Sequence, residues 1–221
     1  MIDSIIFDFN GTLLDDFNVT YTIEKEIFKS VGLKGFSKKR CKNTFINPIN
    51  KYYDALGLND KDYDYKELNS RFFEEYIKRW KNESKLFKNE KEILMDLRAR
   101  GFKLYILSAT EITLLKEQLE YFGIIDLFTD FIAANNKESK SKIEYGKEFI
   151  KKHGLNKDNT LLIGDTLHDF ESAETFNIDS IYLTKGHNSK KRLKTLNKKL
   201  CSNYKQIEKE ILKRNPNLID Y

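Results

Sequence analysis

From residue 85 onward, short apolar runs alternate with segments of helical periodicity, and a polar residue closes run after run. A first such run stands by itself near the start. Ser4-Ile5-Ile6-Phe7-Asp8-Phe9 is stopped at once by Asn10-Gly11, as expected of a buried strand that ends in a turn. The later runs predict strands at 103–107, 130–133, 160–163 and 180–183. Helices are predicted between them at 89–100, 111–122, 142–153 and 168–176, and a last one near 204–214. Gly101 supplies the stop after the first of these helices. Strands that alternate with helices predict an α/β fold, a doubly wound parallel sheet with helices on both faces. Ligands of such sheets bind beyond the C-terminal strand ends.

Between the first strand and this alternation lies a stretch of different texture. Residues 17–31 read as a helix that Asp15 or Asp16 can cap, and 38–57 as two shorter helices broken near Asn47-Pro48. In 65–83, Leu68, Phe72, Phe73, Tyr76, Ile77 and Trp80 share one helical face. The expected organisation is a core formed by 1–15 and 85–221 with an all-helical insertion over 16–84, which a chain of 221 residues can accommodate.

Composition narrows the partners. No apolar run approaches the roughly 18 residues that span a bilayer, and no signal-peptide pattern opens the chain. Cys41 and Cys201 lack metal-ligand spacing and are too few for a disulfide framework, so both read as reduced thiols of a cytoplasmic protein. The formal charge of +5 concentrates around Lys190, Lys191, Arg192, Lys194, Lys198 and Lys199. No aromatic residues interleave with them as a stacking platform requires, so nucleic acid is not the expected partner.

The chemistry lies at the strand ends. Asp8-Phe9-Asn10-Gly11-Thr12-Leu13 ends the first, Ser108-Ala109-Thr110 follows the second, and Gly164-Asp165-Thr166-Leu167-His168-Asp169 follows the fourth. In a parallel sheet these converge, bringing three acids and a hydroxyl to one edge. Like charges so packed call for a cation, and Mg²⁺ is the hard, oxygen-seeking candidate. A carboxylate that touches the metal and faces a phosphate can attack phosphorus. Lys142, at a helix start after the third strand, is placed to balance the phosphate charge, with Lys140 as its rival. Asp169 reads equally as an acid that stabilises a helix N-terminus, and His168 and His187 equally as surface residues.

These motifs, in this order and over nearly the whole chain, resemble the haloacid dehalogenase superfamily in its phosphatase branch. The insertion resembles that family's helical cap, and Phe45-Ile46-Asn47-Pro48 with Tyr52-Tyr53 and Leu56-Gly57-Leu58 resembles cap segments of phosphoglycolate-phosphatase-like members. The resemblance implies a Rossmann-like core, a small phosphorylated metabolite as substrate and Mg²⁺ as cofactor. It implies Asp8 as nucleophile and Mg²⁺ ligand, the Asn10 carbonyl and Asp165 as further ligands, and Asp169 as holder of metal-bound water or orienter of Lys142. Ser108, Gly11 and Thr12 would hydrogen-bond the phosphoryl group, and Lys142 would neutralise it. Arg40, Lys42, Asn47 and Tyr52 are candidate substrate contacts in the cap.

One position departs. The family's phosphatases carry an acid where this chain has Asn10, and an amide can neither protonate a leaving group nor activate water. Asp15, Asp16 or His168 could supply the proton instead, the substrate could have a leaving group that needs none, or the enzyme could be slow. A phosphotransferase, a dehalogenase, a phosphonatase using a cap lysine such as Lys51, or an impaired phospho-ligand-binding protein are the other readings. On this reading, restoring the acid by Asn10→Asp raises turnover.

Overall fold

Strand β1 (Ser4–Phe7) occupies the centre of the molecule, buried along its whole length. The computed structural model describes residues 1–134 and 141–218. β1 pairs in parallel with β4 (Lys103–Glu111) on one side and β6 (Thr160–Gly164) on the other. With β5 (Asp130–Ala134), β7 (Asp179–Leu183) and β8 (Lys199–Cys201), they form a six-stranded sheet in the order β5-β4-β1-β6-β7-β8. The chain builds outward from β1 through β4 to β5, then returns to the other side of β1 with β6. That reversal places the loops after β1, β4 and β6 around one crevice.

Alternate side chains of the strands enter two separate cores. Ile5 and Phe7 of β1, Leu104 and Ile106 of β4 and Leu161 and Ile163 of β6 pack with helices α5 (Glu90–Ala99), α6 (Ile112–Tyr121) and α10 (Tyr204–Lys213). Ile6, Tyr105, Leu107 and Leu162 face the other way, against α7 (Lys142–His153) and α8 (Leu167–Phe176). Burial on both faces is why these strands read as unbroken apolar runs.

The predicted helices lie where the periodicity puts them, with boundaries shifted by one or two residues. Two features of the sheet edges escaped the sequence. β2 (Leu14–Asp15) and β3 (Lys85–Leu86) form a two-residue antiparallel ribbon at the entry to and exit from the helical insertion. β8 is hidden in the basic stretch, where Lys198 pairs with Glu174 and Asp179 and Lys199 with Glu210. Residues 190–193 form the short helix α9. Among the described residues no helix is long and apolar enough to cross a membrane.

Helices α1 (Phe17–Ser30), α2 (Lys38–Thr44), α3 (Ile49–Ala55) and α4 (Tyr65–Glu83) surround their own aromatic-rich core, with Phe28, Tyr52, Tyr53, Tyr76 and Trp80 buried in it. A second clasp joins these helices to the sheet. Lys42 Nζ donates to the carbonyls of Lys185 and Gly186 at 2.9 and 2.5 Å, and it lies 3.9 Å from the centre of the Phe17 ring. Asn188 Nδ2 and Arg192 Nη1 both donate to the Phe45 carbonyl, and Asn188 Oδ1 accepts from Leu167 N. Asn188 is fully buried, so Asn188→Ala leaves the Leu167 N–H without its partner and removes one of the two donors to the Phe45 carbonyl. The expected loss is about 1–3 kcal/mol in urea denaturation; a change within a few tenths would show that the clasp carries no stability.

Candidate active site

Asp8 closes β1, its backbone N–H donating to the Ile163 carbonyl of β6. The chain then turns sharply at Gly11, whose φ of +78° suits glycine and whose missing Cβ would run into Asp165 and His187. On the neighbouring strand ends stand Ser108 and, across β1, Asp165. Asp8, Asp165 and Asp169 are buried, and each offers a carboxylate oxygen within 4.8 Å of the others. Lys142, the first residue of α7, reaches between two of them, its Nζ 2.5 Å from Asp8 Oδ1 and 2.7 Å from Asp169 Oδ1. Lys140 lies outside the described residues.

Asp169 combines the two readings that the sequence left open. Its Oδ2 accepts from Asp165 N, Thr166 N and Thr166 Oγ1 in the capping box of α8, and its Oδ1 holds Lys142. Gly164 makes room for this carboxylate, since a Cβ there would strike it.

The electrostatics follow from three buried carboxylates facing one ammonium. Burial, and after it the charge of Asp169, pushes Asp8 up to about 8 despite Lys142. Burial raises Asp165 to about 6 against the pull of His187. Burial also works to raise Asp169, but Lys142 and the Thr166 hydroxyl outweigh it and hold Asp169 below the usual range. Lys142 is raised, because two carboxylates outweigh the cost of burying it.

Two expected phosphate contacts are corrected. The N–H groups of Gly11 and Thr12 are used inside the turn, donating to Leu14 O at 2.8 Å and Phe9 O at 3.2 Å. The Thr12 hydroxyl donates to Asp165 Oδ1 at 2.9 Å. Neither residue has a donor to offer a phosphoryl oxygen, and Thr12 instead orients Asp165. Ser108 remains available on the cavity wall, where its Oγ accepts from Thr110 N.

Asn10 lies in a polar network that the sequence did not reveal. Its Nδ2 donates to Asp16 Oδ2 at 2.8 Å and to Tyr76 Oη at 3.0 Å, and its Oδ1 accepts from Thr110 Oγ1 at 2.5 Å. Tyr76 Oη also donates to Asp16 Oδ2, and His187 Nε2 lies 2.9 Å from Asp16 Oδ1. Asp16 holds the N-cap position of α1, yet its side chain makes no capping bond, because both its oxygens serve this network. Burial works to raise Asp16, but His187, Asn10 and Tyr76 outweigh it and keep its carboxyl below the usual range. Burial opposes the charge on His187, but Asp16 overrides it and raises the imidazole to about 9.

All of this opens on a cavity of about 420 Å³ between the sheet edge and α1–α4, lined at its base by Asp8, Asn10, Ser108, Lys142, Asp169 and His187. Asn47 reaches its wall, as do Tyr76 from the apolar face of α4, Thr110 from the polar stretch after Leu107, and Glu24, which no local pattern marked. The other cap candidates are placed elsewhere. Arg40 is bound to the carbonyls of Lys34 and Leu56, Lys42 belongs to the clasp, and Tyr52 is buried with its hydroxyl on Glu24. Lys51 is exposed on α3 and does not line the cavity, so it offers no Schiff-base lysine there. His168 sits at the cavity edge beside Glu171, and half-buried Asp15 does not line the cavity.

Comparison with known proteins agrees with this arrangement. The family model described as haloacid dehalogenase-like hydrolase matches residues 5–183. A phosphoglycolate phosphatase of Psychrobacter arcticus is 22% identical over 205 residues, covering 87% of this chain and 88% of that protein. The phosphoglycolate phosphatase of Colwellia psychrerythraea is 26% identical over 195 residues, covering 83% and 85%. Among solved structures, a haloacid dehalogenase-like hydrolase from Streptococcus pneumoniae shares the fold with a TM-score of 0.80 at 20% identity, over 96% of this chain and 98% of that one. Protein tyrosine kinase A of Mycobacterium tuberculosis shares it with a TM-score of 0.72 at 21% identity, over 86% and 87%. With the acid cluster, the lysine and the strand-end order in place, the chain belongs to the haloacid dehalogenase-like hydrolases, among their phosphatase-like members.

Proposed function

We propose that this chain is a Mg²⁺-dependent phosphohydrolase of small phosphate monoesters, acting through a phospho-aspartate on Asp8. The observation that carries the reading is the meeting of Asp8, Ser108 and Lys142 on one cavity wall, beneath helices that close over it. Residues 1–15 and 85–221 would form the catalytic core and 16–84 the cap that excludes water and selects substrate. The names of the curated relatives agree with phosphate-ester chemistry, but identities of 22–26% do not carry their substrate across.

The residues present fit a hard divalent cation. The donors are all oxygen, their negative charge exceeds what Lys142 balances, and burial, with the charge of Asp169 adding to it, pushes Asp8 and Asp165 up. Asp8, Asp165 and the Asn10 carbonyl are the groups that would hold it, and when bound it supplies positive charge to offset Asp8 and the phosphoryl oxygens. Asp169 Oδ2 is taken up by the capping box, and Oδ1, which anchors Lys142, is the oxygen it could also turn toward the ion or its water.

In the first step an Asp8 oxygen bonds to phosphorus and the ester P–O bond breaks, with Ser108 and Lys142 binding the phosphoryl oxygens. The departing alkoxide needs a proton, which Asn10 cannot give. Asp16 stands directly beside Asn10 on the cavity wall, coupled to His187, and this pair takes over the acid–base role. Water then hydrolyses the phospho-aspartate, releasing phosphate and restoring Asp8.

Asp8→Asn should abolish turnover with the fold intact; residual activity above about a hundredth of wild type would contradict covalent catalysis at this position. Asp165→Ala should shrink the rise in melting temperature that Mg²⁺ produces, and an undiminished rise would remove Asp165 from the ligand set. Asp16→Asn should lower turnover of an alkyl phosphate by roughly 10²-fold or more, but that of an activated aryl phosphate much less, since its leaving group needs no proton. The gain expected from Asn10→Asp then appears in the Asp16→Asn background, where acid and amide have exchanged places. Equal losses on both substrates, or no rescue in the double variant, would exclude the Asp16–His187 pair as the proton source.

A further inference from the structure

The cavity extends from Asp8 far into the cap, and its composition there differs from its base. Phe45, Pro48, Ile49, Tyr53, Phe72 and Phe73 form most of the wall. The neutral polar groups are those of Thr20, Asn47 and Asn69, and a single acid, Glu24, faces the cavity from α1. Glu24 is buried, and both of its hydrogen bonds, from Tyr52 Oη at 3.1 Å and Cys41 Sγ at 3.4 Å, arrive at Oε2. Tyr52 is fully buried and fixes the carboxylate in place.

Basic side chains are as informative. Among the described residues, those lining the cavity are Lys142, His187 and His168, and each already faces an acid: Asp8 and Asp169, Asp16, and Glu171. The cap's arginines and its nearest lysine are turned away. Arg40 binds backbone carbonyls, Arg71 binds Ser30, Arg79 binds Glu26 and Glu83, and Lys42 clasps the 185–186 carbonyls. A substrate whose alcohol portion carries a carboxylate would bury that charge without a counterion and beside Glu24, a costly arrangement in a largely apolar space.

Resting on the phosphatase reading for its chemistry, we propose that the phosphate ester taken by this site has an uncharged, largely apolar alcohol portion, and that Glu24 excludes esters bearing a second anion. This separates the chain by substrate class from enzymes acting on carboxylated phosphate esters. The aromatic wall supplies affinity through burial of the alcohol portion, and the buried acid supplies selectivity by repulsion.

Benzyl phosphate and 4-carboxybenzyl phosphate test this, because they differ in charge at the far end of the ring while the scissile bond stays alike. Assayed above neutral pH with Mg²⁺, benzyl phosphate should show a kcat/KM roughly 10-fold or more above its carboxylated partner. Glu24→Gln should narrow that ratio. Equal or better turnover of 4-carboxybenzyl phosphate overturns the inference and leaves the phosphatase reading standing. A ratio unchanged in Glu24→Gln overturns the role of Glu24. The matching phosphonates, which cannot be hydrolysed, are titrated into the wild-type protein by calorimetry. If neither ester is cleaved, the phosphatase reading fails, and tighter binding of benzylphosphonate than of 4-carboxybenzylphosphonate still supports the charge selection. Equal binding, or binding of neither, overturns it.

Discussion

Lys142 Nζ sits between Asp8 Oδ1 and Asp169 Oδ1 with all three side chains buried, and the geometry of the site is organised around that contact. Removing Lys142 would leave Asp8 and Asp169 facing each other uncompensated in a low-dielectric interior, so the lysine is the member on which the group depends. The contact in turn requires α7 to begin where the β5 crossover returns to the sheet and α8 to begin directly after β6. The capping boxes at Ser141–Glu144 and Thr166–Asp169 fix both starts. A helix-start motif that would elsewhere be only a local stabiliser here sets the position of a charged side chain to within hydrogen-bonding distance of the nucleophile.

A second polar network joins the helical insertion to the same site. Asp16 receives Asn10 from the β1 turn, Tyr76 from α4 and His187 from the loop after β7, and Gln118 of α6 donates to Tyr76 at 3.4 Å. Since Asn10 belongs to the site and Tyr76 to the roof, the position of the helices over the cavity and the orientation of the amide are coupled. The amide suits this network in a way that a carboxylate does not: Nδ2 is the donor that Asp16 needs, and an ionised acid at position 10 would face another at hydrogen-bonding distance. Asn10 and Asp16 therefore form one hydrogen-bonded unit between the turn after β1 and the start of α1.

Family membership accounts for the sheet order, the acid cluster and the lysine, and leaves the cap to distinguish this chain from its relatives. In this chain the helical insertion presents aromatic rings and one buried acid to the cavity. The same scaffold can thus serve different esters by changing which side chains line the roof, since function resides in the site rather than in the fold.

The order of elements was legible because strands buried on both faces show as apolar runs and helices show as periodic stripes, and those signals are local. Asp8, Ser108, Asp165 and Asp169 could be found by asking what closes or follows each run, and Lys142 by asking which helix start could balance a phosphate; the structure brings all five together. β8 was not legible, because three residues within a lysine-rich stretch carry no pattern of their own and become a strand by pairing with β7. Glu24 gave no signal either, and the apolar face with Tyr76 and the strand end with Thr110 did not show their partner: Tyr76 meets Asn10 across 66 positions and Thr110 across 100. Their chemistry depends on neighbours that no window of sequence contains. The sequence by itself determined the sheet, the helical insertion and which strand ends carry acids, because burial and periodicity are written residue by residue. Tertiary structure decided that Gly11 and Thr12 serve the turn, that Asp16 rather than Asp15 joins the site, and that the roof is apolar with Glu24 in it. Those outcomes depend on which side chains folding brings into contact at distances of about 3 Å, and a linear pattern carries no such distances.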